Sequence, residues 1–339
     1  MRSGCLAATW SYPVEMMSAY PKVVAIGGGT GLAALLRGLK HFPVEITAIV
    51  TVADDGGSSG RLQRDWQVPP PGDIRNVLIA LSEAEGIYRD LLEFRFQSVQ
   101  GDHALDGHSM GNLLLTALFS LTGGDFVKAV EHMGRVLQIK GRVLPVCPHA
   151  TVLHAELEDG RLVSHESELA SHGSKIHRVF YDQPFLAEPQ AIDAIFDADV
   201  IVFGPGSLYT SVMPNLLLKE IAAAINANTS ADKVYICNIM TEHGETDGMS
   251  ASQHLQAILD HGISRIDKII VNDESIPQDY LDRYHAEDAD PVVNDYGALE
   301  AMGIDVIRSR IADLREEGVR HDSIKTAASL YSIALRHQN

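Results

Sequence analysis

Two adjacent carboxylates, Asp54 and Asp55, open the segment Asp-Asp-Gly-Gly-Ser-Ser-Gly-Arg61 and have the most evident chemical use in the chain. One or two carboxylates of this kind hold Mg²⁺ while leaving coordination positions for the oxygens of a diphosphate. Asp54 and Asp55 are therefore the candidate metal ligands and, for a group-transfer reaction, the candidate catalytic residues. Ser58, Ser59 and Arg61 follow as candidate ligand contacts. The plainer alternative is a polar surface turn, but a double Asp, two serines and an arginine exceed what a turn requires.

Upstream, Gly27-Gly-Gly-Thr-Gly31 places four glycines in five positions, between an apolar run and an Ala/Leu-rich helical pattern. Without a Cβ the backbone turns tightly and approaches a ligand closely. The helix that follows offers free N–H groups and its positive dipole end to an anion. Gly28, Gly29, Thr30 and Gly31 are the candidate contacts. Read as G-x-G-x-x-A, the fingerprint is Gly29, Gly31 and Ala34, with an acidic residue about twenty positions on, where a ribose hydroxyl is gripped. Glycine turns of this kind also occur for packing alone.

A second strand, glycine turn and helix start appears at Gly204-Pro-Gly-Ser-Leu-Tyr-Thr-Ser-Val-Met-Pro-Asn215. Gly204, Gly206, Ser207, Thr210, Ser211 and Asn215 supply N–H groups, hydroxyls and an amide suited to a diphosphate. Pro71-Gly-Asp-Ile-Arg-Asn76 begins a helix with Asp73 as its expected N-cap, and Arg75 in the first turn gains nothing from a dipole that favours anions there. A ligand phosphate would justify Arg75, with Asn76 beside it. His108 is equally a ligand contact or an ordinary loop histidine, and Asn112 lies in the same Gly107-His-Ser-Met-Gly-Asn run. Asn238, at a later strand end, is a candidate contact to base or sugar.

These loops need a parallel sheet to bring them together. The runs 22–27, 46–53, 199–203, 233–238, 268–272 and 304–307 are continuous in apolar character, as in strands covered on both faces. Helices are expected near 74–81, 86–97, 109–122, 125–139, 189–197, 250–261 and 322–336. Between 149 and 181 the period changes to two, which predicts a hairpin at 151–164 and a further strand at 176–180. The expected architecture is α/β: a Rossmann-like, doubly wound, mostly parallel sheet. It forms a single domain over 21–339, with a helical insertion at about 84–145 and a β-hairpin excursion at about 149–181. Residues 1–20 read as a loose N-terminal extension.

Composition narrows the partners. A formal net charge of −18 argues against a nucleic-acid partner, which would need a basic face. No run is long enough to cross a membrane, and Cys5, Cys147 and Cys237 are odd in number and widely spaced, which fits reduced thiols in the cytoplasm. His149, His154, His165, His172 and His177 lack the tight spacing of a metal site.

Six blocks, taken in order, resemble the YvcK-like gluconeogenesis factor family. They are Gly27-Gly-Gly-Thr-Gly-Leu, Val52-Ala-Asp-Asp-Gly-Gly-Ser-Ser-Gly-Arg-Leu, Pro71-Gly-Asp-Ile-Arg-Asn, Gly107-His-Ser-Met-Gly-Asn-Leu, Gly204-Pro-Gly-Ser-Leu-Tyr-Thr-Ser and Asn238-Ile-Met-Thr-Glu-His-Gly-Glu-Thr. That family is similar in turn to 2-phospho-L-lactate transferase, which moves a phospholactyl group from a guanosine diphosphate carrier with Mg²⁺. The resemblance implies a cytoplasmic protein that binds a UDP-sugar such as UDP-N-acetylglucosamine. It also implies a role in cell shape and envelope synthesis on gluconeogenic carbon sources. A homo-oligomer and envelope-synthesis protein partners are further expectations. Ala53-Asp54-Asp55 matches the transferase, whereas the glycines and serines that follow depart from its acceptor loop.

Three readings follow. The first is a regulatory factor that binds a nucleotide sugar without chemistry. The second is a Mg²⁺-dependent transferase using a nucleotide-diphosphate carrier. The third, a nicotinamide dehydrogenase, lacks a recognisable hydride-transfer partner set, although NAD(P) as a bound dinucleotide fits the same crevice.

Overall fold

The computed structural model describes residues 20–83, 86–98, 104–164, 169 and 174–338. Apart from Tyr20, the extension read at the N-terminus lies outside the described residues, as do His165 and His172.

Seven parallel strands form the main sheet in the order β10-β9-β8-β7-β1-β2-β3. They are β1 (Lys22–Gly27), β2 (Glu45–Val50), β3 (Arg142–Pro145), β7 (Val200–Phe203), β8 (Asp232–Ile236), β9 (Lys268–Asn272) and β10 (Asp305–Ser309). Their apolar runs are continuous because helices cover both faces: every residue of β7 is buried, and β1 is buried from Val23 onward. The strand order reverses direction between β1 and β7. In an open α/β sheet that is the switch point at which a crevice opens beyond the carboxyl ends of the strands.

Helix α1 (Gly29–Leu39) leads from the first glycine turn. Its Leu32, Leu35, Leu36 and Leu39 are wholly buried and pack with Ile26, Ile49, Ile74 and Leu78 in the core. Helices α2 (Gly57–Trp66) and α3 (Gly72–Leu81) follow β2, and α4 (Gly86–Glu93), α5 (Met110–Leu121) and α6 (Phe126–Val136) precede β3. The helix expected over 86–97 stops at Glu93 because the chain turns extended there. Phe96 exchanges backbone hydrogen bonds with Gly107 and His108, and Met110 donates to Phe94, so residues 94–96 form a short ladder with the start of α5.

The excursion contains β4 (Leu153–Leu157), β5 (Leu162–Ser164) and β6 (Ile176–Tyr181), paired antiparallel in the order β5-β4-β6. Helix α7 (Pro189–Phe196) returns the chain to β7. A π-helical turn at Leu208–Val212, α8 (Met213–Leu216) with Pro214 in its first turn, and α9 (Lys219–Ala227) lead to β8. Helix α10 (Ala251–Asp260) precedes β9, and α11 (Gln278–His285) and α12 (Tyr296–Ala301) occupy what reads as loop in the sequence. After β10 an unanticipated hairpin, β11 (Ala312–Arg315) and β12 (Gly318–His321), precedes the last helix, α13 (Ser323–Ala334). The hairpin and α11 share a small apolar cluster of their own, built on Ile239, Met240, Ala312 and Val319. Among the described residues no helix is long and apolar enough to cross a membrane.

Candidate functional site

The two glycine turns meet because glycine lets them. A Cβ on Gly31 would stand 2.6 Å from the Pro205 carbonyl oxygen and 2.9 Å from the Gly206 Cα. Only a bare backbone fits, so part of the first glycine signature serves contact between loops. Gly29 takes φ +64°, in the left-handed region where glycine carries no steric penalty. The fully buried Asn215 fastens the pair, its amide donating to the Gly27 carbonyl at 3.2 Å and to the Ser211 carbonyl at 2.9 Å. Glu245, also buried, holds the later loop from behind. It accepts the Tyr209 N–H at 3.2 Å and the Thr210 hydroxyl at 2.8 Å.

A cleft of about 740 Å³ opens over these loops. From the sequence-derived candidates it is lined by Gly29, Thr30, Gly31, Asp54, Asp73, Asn76, Gly206, Ser207, Thr210, Ser211 and Asn238. Gly28 and Gly204 belong to the same turns without lining it. The Asn238 Oδ1 is buried and has no hydrogen-bond partner among the described residues, an acceptor left for something else.

Asp73 is not the cap of α3. That helix begins at Gly72 with Pro71 as N-cap, which leaves Asp73 in the first turn with its carboxylate directed to α1. There it accepts the Gly29 backbone N–H. Burial, and then the neighbouring Asp54 charge, push its carboxyl up to about 7, while the Gly29 N–H and Arg75 pull the other way. Asp54 accepts the Gly56 N–H at 3.0 Å. Asp54 and Asp73 therefore share the cleft, and Asp55 is not among its lining residues. Among the described residues no three His, Cys, Asp or Glu side chains converge to hold a metal. A hard cation at Asp54 would need ligand oxygens and water to complete its shell, the usual mode for Mg²⁺.

The other candidates form a layer beneath the cleft. The His108 Nδ1 and the Ser58 hydroxyl lie 2.9 Å apart, and the Asn112 amide donates to Ser58 at 3.1 Å. Arg75 does not reach into the cleft. Its guanidinium donates to Ser109 Oγ at 2.6 Å, to Asn112 Oδ1 at 2.9 Å and to Asn76 Oδ1 at 2.7 Å, so it ties α3 to the start of α5. Arg61 donates to the Asp106 carbonyl, and Ser59 is buried in the first turn of α2. Burial, with Arg61 adding to it, holds the His108 imidazole below its usual value, so it is neutral near pH 7.

The opposite wall was not foreseen. Arg37 from α1, Glu93 at the end of α4, Thr241 and Glu242 after β8, Tyr284 on α11, and Arg315, Arg320 and His321 on the hairpin supply the rest of its polar lining, with Ala33, Ala34, Ile239, Met240 and Val319 between them. The His321 Nε2 lies 3.1 Å from the Cys237 carbonyl oxygen, and burial pushes its imidazole down to about 4. The signal available for this wall was the alternation either side of Glu316-Glu-Gly318, a hairpin pattern.

A parallel α/β sheet with two glycine turns facing one polar cleft at its switch point defines a Rossmann-like protein. The chain belongs to the 2-phospho-L-lactate transferase CofD family, which matches residues 23–312, and within it to the gluconeogenesis factors. It is 50% identical over 319 residues to the gluconeogenesis factor of Bacillus subtilis (strain 168), covering 94% of this chain and 99% of that one. To the gluconeogenesis factor of Halalkalibacterium halodurans it is 50% identical over 311 residues, covering 91% and 95%. A crystal structure of a UPF0052 family member from Bacillus halodurans superposes with a TM-score of 0.87 at 49% identity, covering 92% of this chain and 99% of that chain.

Proposed function

We propose that this protein is a cytoplasmic regulatory factor that binds a UDP-sugar such as UDP-N-acetylglucosamine and acts on cell shape and envelope synthesis during growth on gluconeogenic carbon. The observation that carries the reading is the meeting of the α1 turn with the Gly206 to Ser211 loop across one cleft, with the unpartnered Asn238 carbonyl beside them. Backbone N–H groups and hydroxyls suit a diphosphate, and an amide suits a base or sugar. Micromolar affinity needs about 8 kcal/mol, which a few charge-assisted bonds and a buried base supply without any reaction. The experiment is thermal shift against a nucleotide panel. UDP-N-acetylglucosamine raises the melting temperature more than NAD, NADP or GDP, and Asp54→Asn leaves most of that shift in place. A protein unmoved by every UDP compound would sink the reading.

One observation favours the alternative. Asp54 and Asp73 line the same cleft, and Asp73, its carboxyl pushed up to about 7, is poised to exchange a proton near neutral pH. With Mg²⁺ on a nucleotide-diphosphate carrier, that pair suits a transferase of the kind the CofD family name describes. Metal-dependent consumption of the nucleotide, followed by chromatography, distinguishes transfer from binding.

A further inference from the structure

The cleft wall made by the far end of α1 carries positive charge that a neutral-ended UDP-sugar does not use. Arg37 stands in the last turn of α1, half-buried, and lines the cleft. Arg315 on β11 lines the same cleft; after burial itself, Arg89 and Arg315 disfavour the Arg37 charge while Glu93 favours it. Among the described residues the Arg37 side chain makes no hydrogen bond or ion pair. Arg315 is paired with Asp313 at 2.7 Å, and the acid facing Arg37 is Glu93. A half-buried cation without a hydrogen-bonded partner is costly to keep, and a guanidinium matches a carboxylate or phosphate in a bidentate pair.

Position sets what the cluster would grip. Along α1, Arg37 lies about 10 Å of helix beyond Thr30, so the cluster stands roughly one sugar away from the turn that meets the diphosphate loop. We infer that Arg37 and Arg315, which line the cleft together, form a second anion subsite that takes a carboxylate or phosphate carried on the sugar end of a nucleotide-linked ligand. This rests on the nucleotide reading above, and the preferred ligand is then an acidic nucleotide sugar.

UDP-glucose and UDP-glucuronate test it, because they differ only in the oxidation of one sugar carbon to a carboxylate. Isothermal titration of the full chain gives about tenfold tighter binding of UDP-glucuronate. Arg37→Gln brings the ratio of the two affinities close to one, and Arg315→Gln lowers it part of the way. Circular dichroism of both variants checks that the fold is kept. Equal binding of the two ligands by the unmodified protein, or a ratio unchanged in Arg37→Gln, overturns the subsite while leaving nucleotide binding intact. Failure of both ligands to bind overturns the nucleotide reading and the subsite with it.

Discussion

The Asp73 carboxylate accepts the backbone N–H of Gly29, so the positive end of α1 already faces an anion supplied by the protein itself. A glycine turn before a helix is ordinarily read as a vacant phosphate cradle. Here the first donor of that cradle is engaged, and the Asp54 charge stands nearby. A diphosphate in the cleft is better served by the loop from Gly206 to Ser211, with α1 as one wall.

The Asp73 proton makes stability depend on pH. In the unfolded chain an Asp carboxyl ionises near 3.9, whereas in the folded protein this one is pushed up to about 7. The folded state therefore holds a proton that the unfolded state has released. The stability contributed by this group is complete below about pH 4 and is lost as pH rises through 7. Asp73→Asn, which keeps an acceptor for Gly29 and removes the charge, raises the melting temperature relative to the parent at pH 8, on the order of 2–5 °C. At pH 5, where only part of the loss has set in, the difference is smaller, and it disappears below about pH 4. An Asp73→Asn protein that melts lower at pH 8 would contradict this.

Gly31→Ala tests the contact between the turns. The new Cβ meets the Pro205 carbonyl oxygen at 2.6 Å, and both partners are backbone, so the loops must part. Overpacking of this kind costs about 1–3 kcal/mol. Urea unfolding shows a lower midpoint with an unchanged slope, and the UDP-sugar thermal shift shrinks as the loops separate. An unchanged midpoint would show that the turns are not held against each other.

Much of this arrangement was legible in the sequence. Continuous apolar runs from Val23 and from Val200 announced parallel strands, and glycines at their carboxyl ends announced close backbone approach. The sequence could not show which glycine serves a ligand and which serves contact between loops, because Gly31 and Gly206 share a local signature and only the fold packs one against the other. Arg75 misled for a similar reason. A cation in a first helical turn needs an anion or hydrogen-bond acceptors, and Ser109 and Asn112 arrive from more than thirty positions away. The hairpin wall was missed because Arg315 and Arg320 reach the cleft only through a small apolar cluster with Tyr284 and Val319, a tertiary contact without a local pattern.

Glu245 is expected to matter for binding without touching the ligand. Its carboxylate takes the Tyr209 N–H and the Thr210 hydroxyl, which fixes the π-helical turn that carries Ser211 into the cleft. Glu245→Ala leaves that buried N–H unpaired, a cost of about 1–3 kcal/mol. Glu245→Gln keeps an acceptor oxygen and is expected to retain most of the stability. Titration calorimetry separates the two, with affinity for the UDP-sugar lost in Ala and largely restored in Gln. Equal loss in both variants would point to the negative charge, and not the positioning of the turn, as the essential feature.

Asn238 should show the opposite balance between stability and binding. Its Oδ1 is buried without a partner, so in the free protein it carries a desolvation cost with no hydrogen bond to offset it. Asn238→Leu removes that orphaned acceptor and fills a similar volume. The variant is therefore expected to melt at the parent temperature or up to a few degrees above it. If the Asn238 amide meets a base or sugar, the same change removes a buried polar contact to the ligand and weakens binding by about tenfold or more. A protein that is no less stable and binds less well identifies a residue kept for the ligand. One that loses stability and keeps its affinity would instead return Asn238 to the structural layer with Asn112 and Asn215.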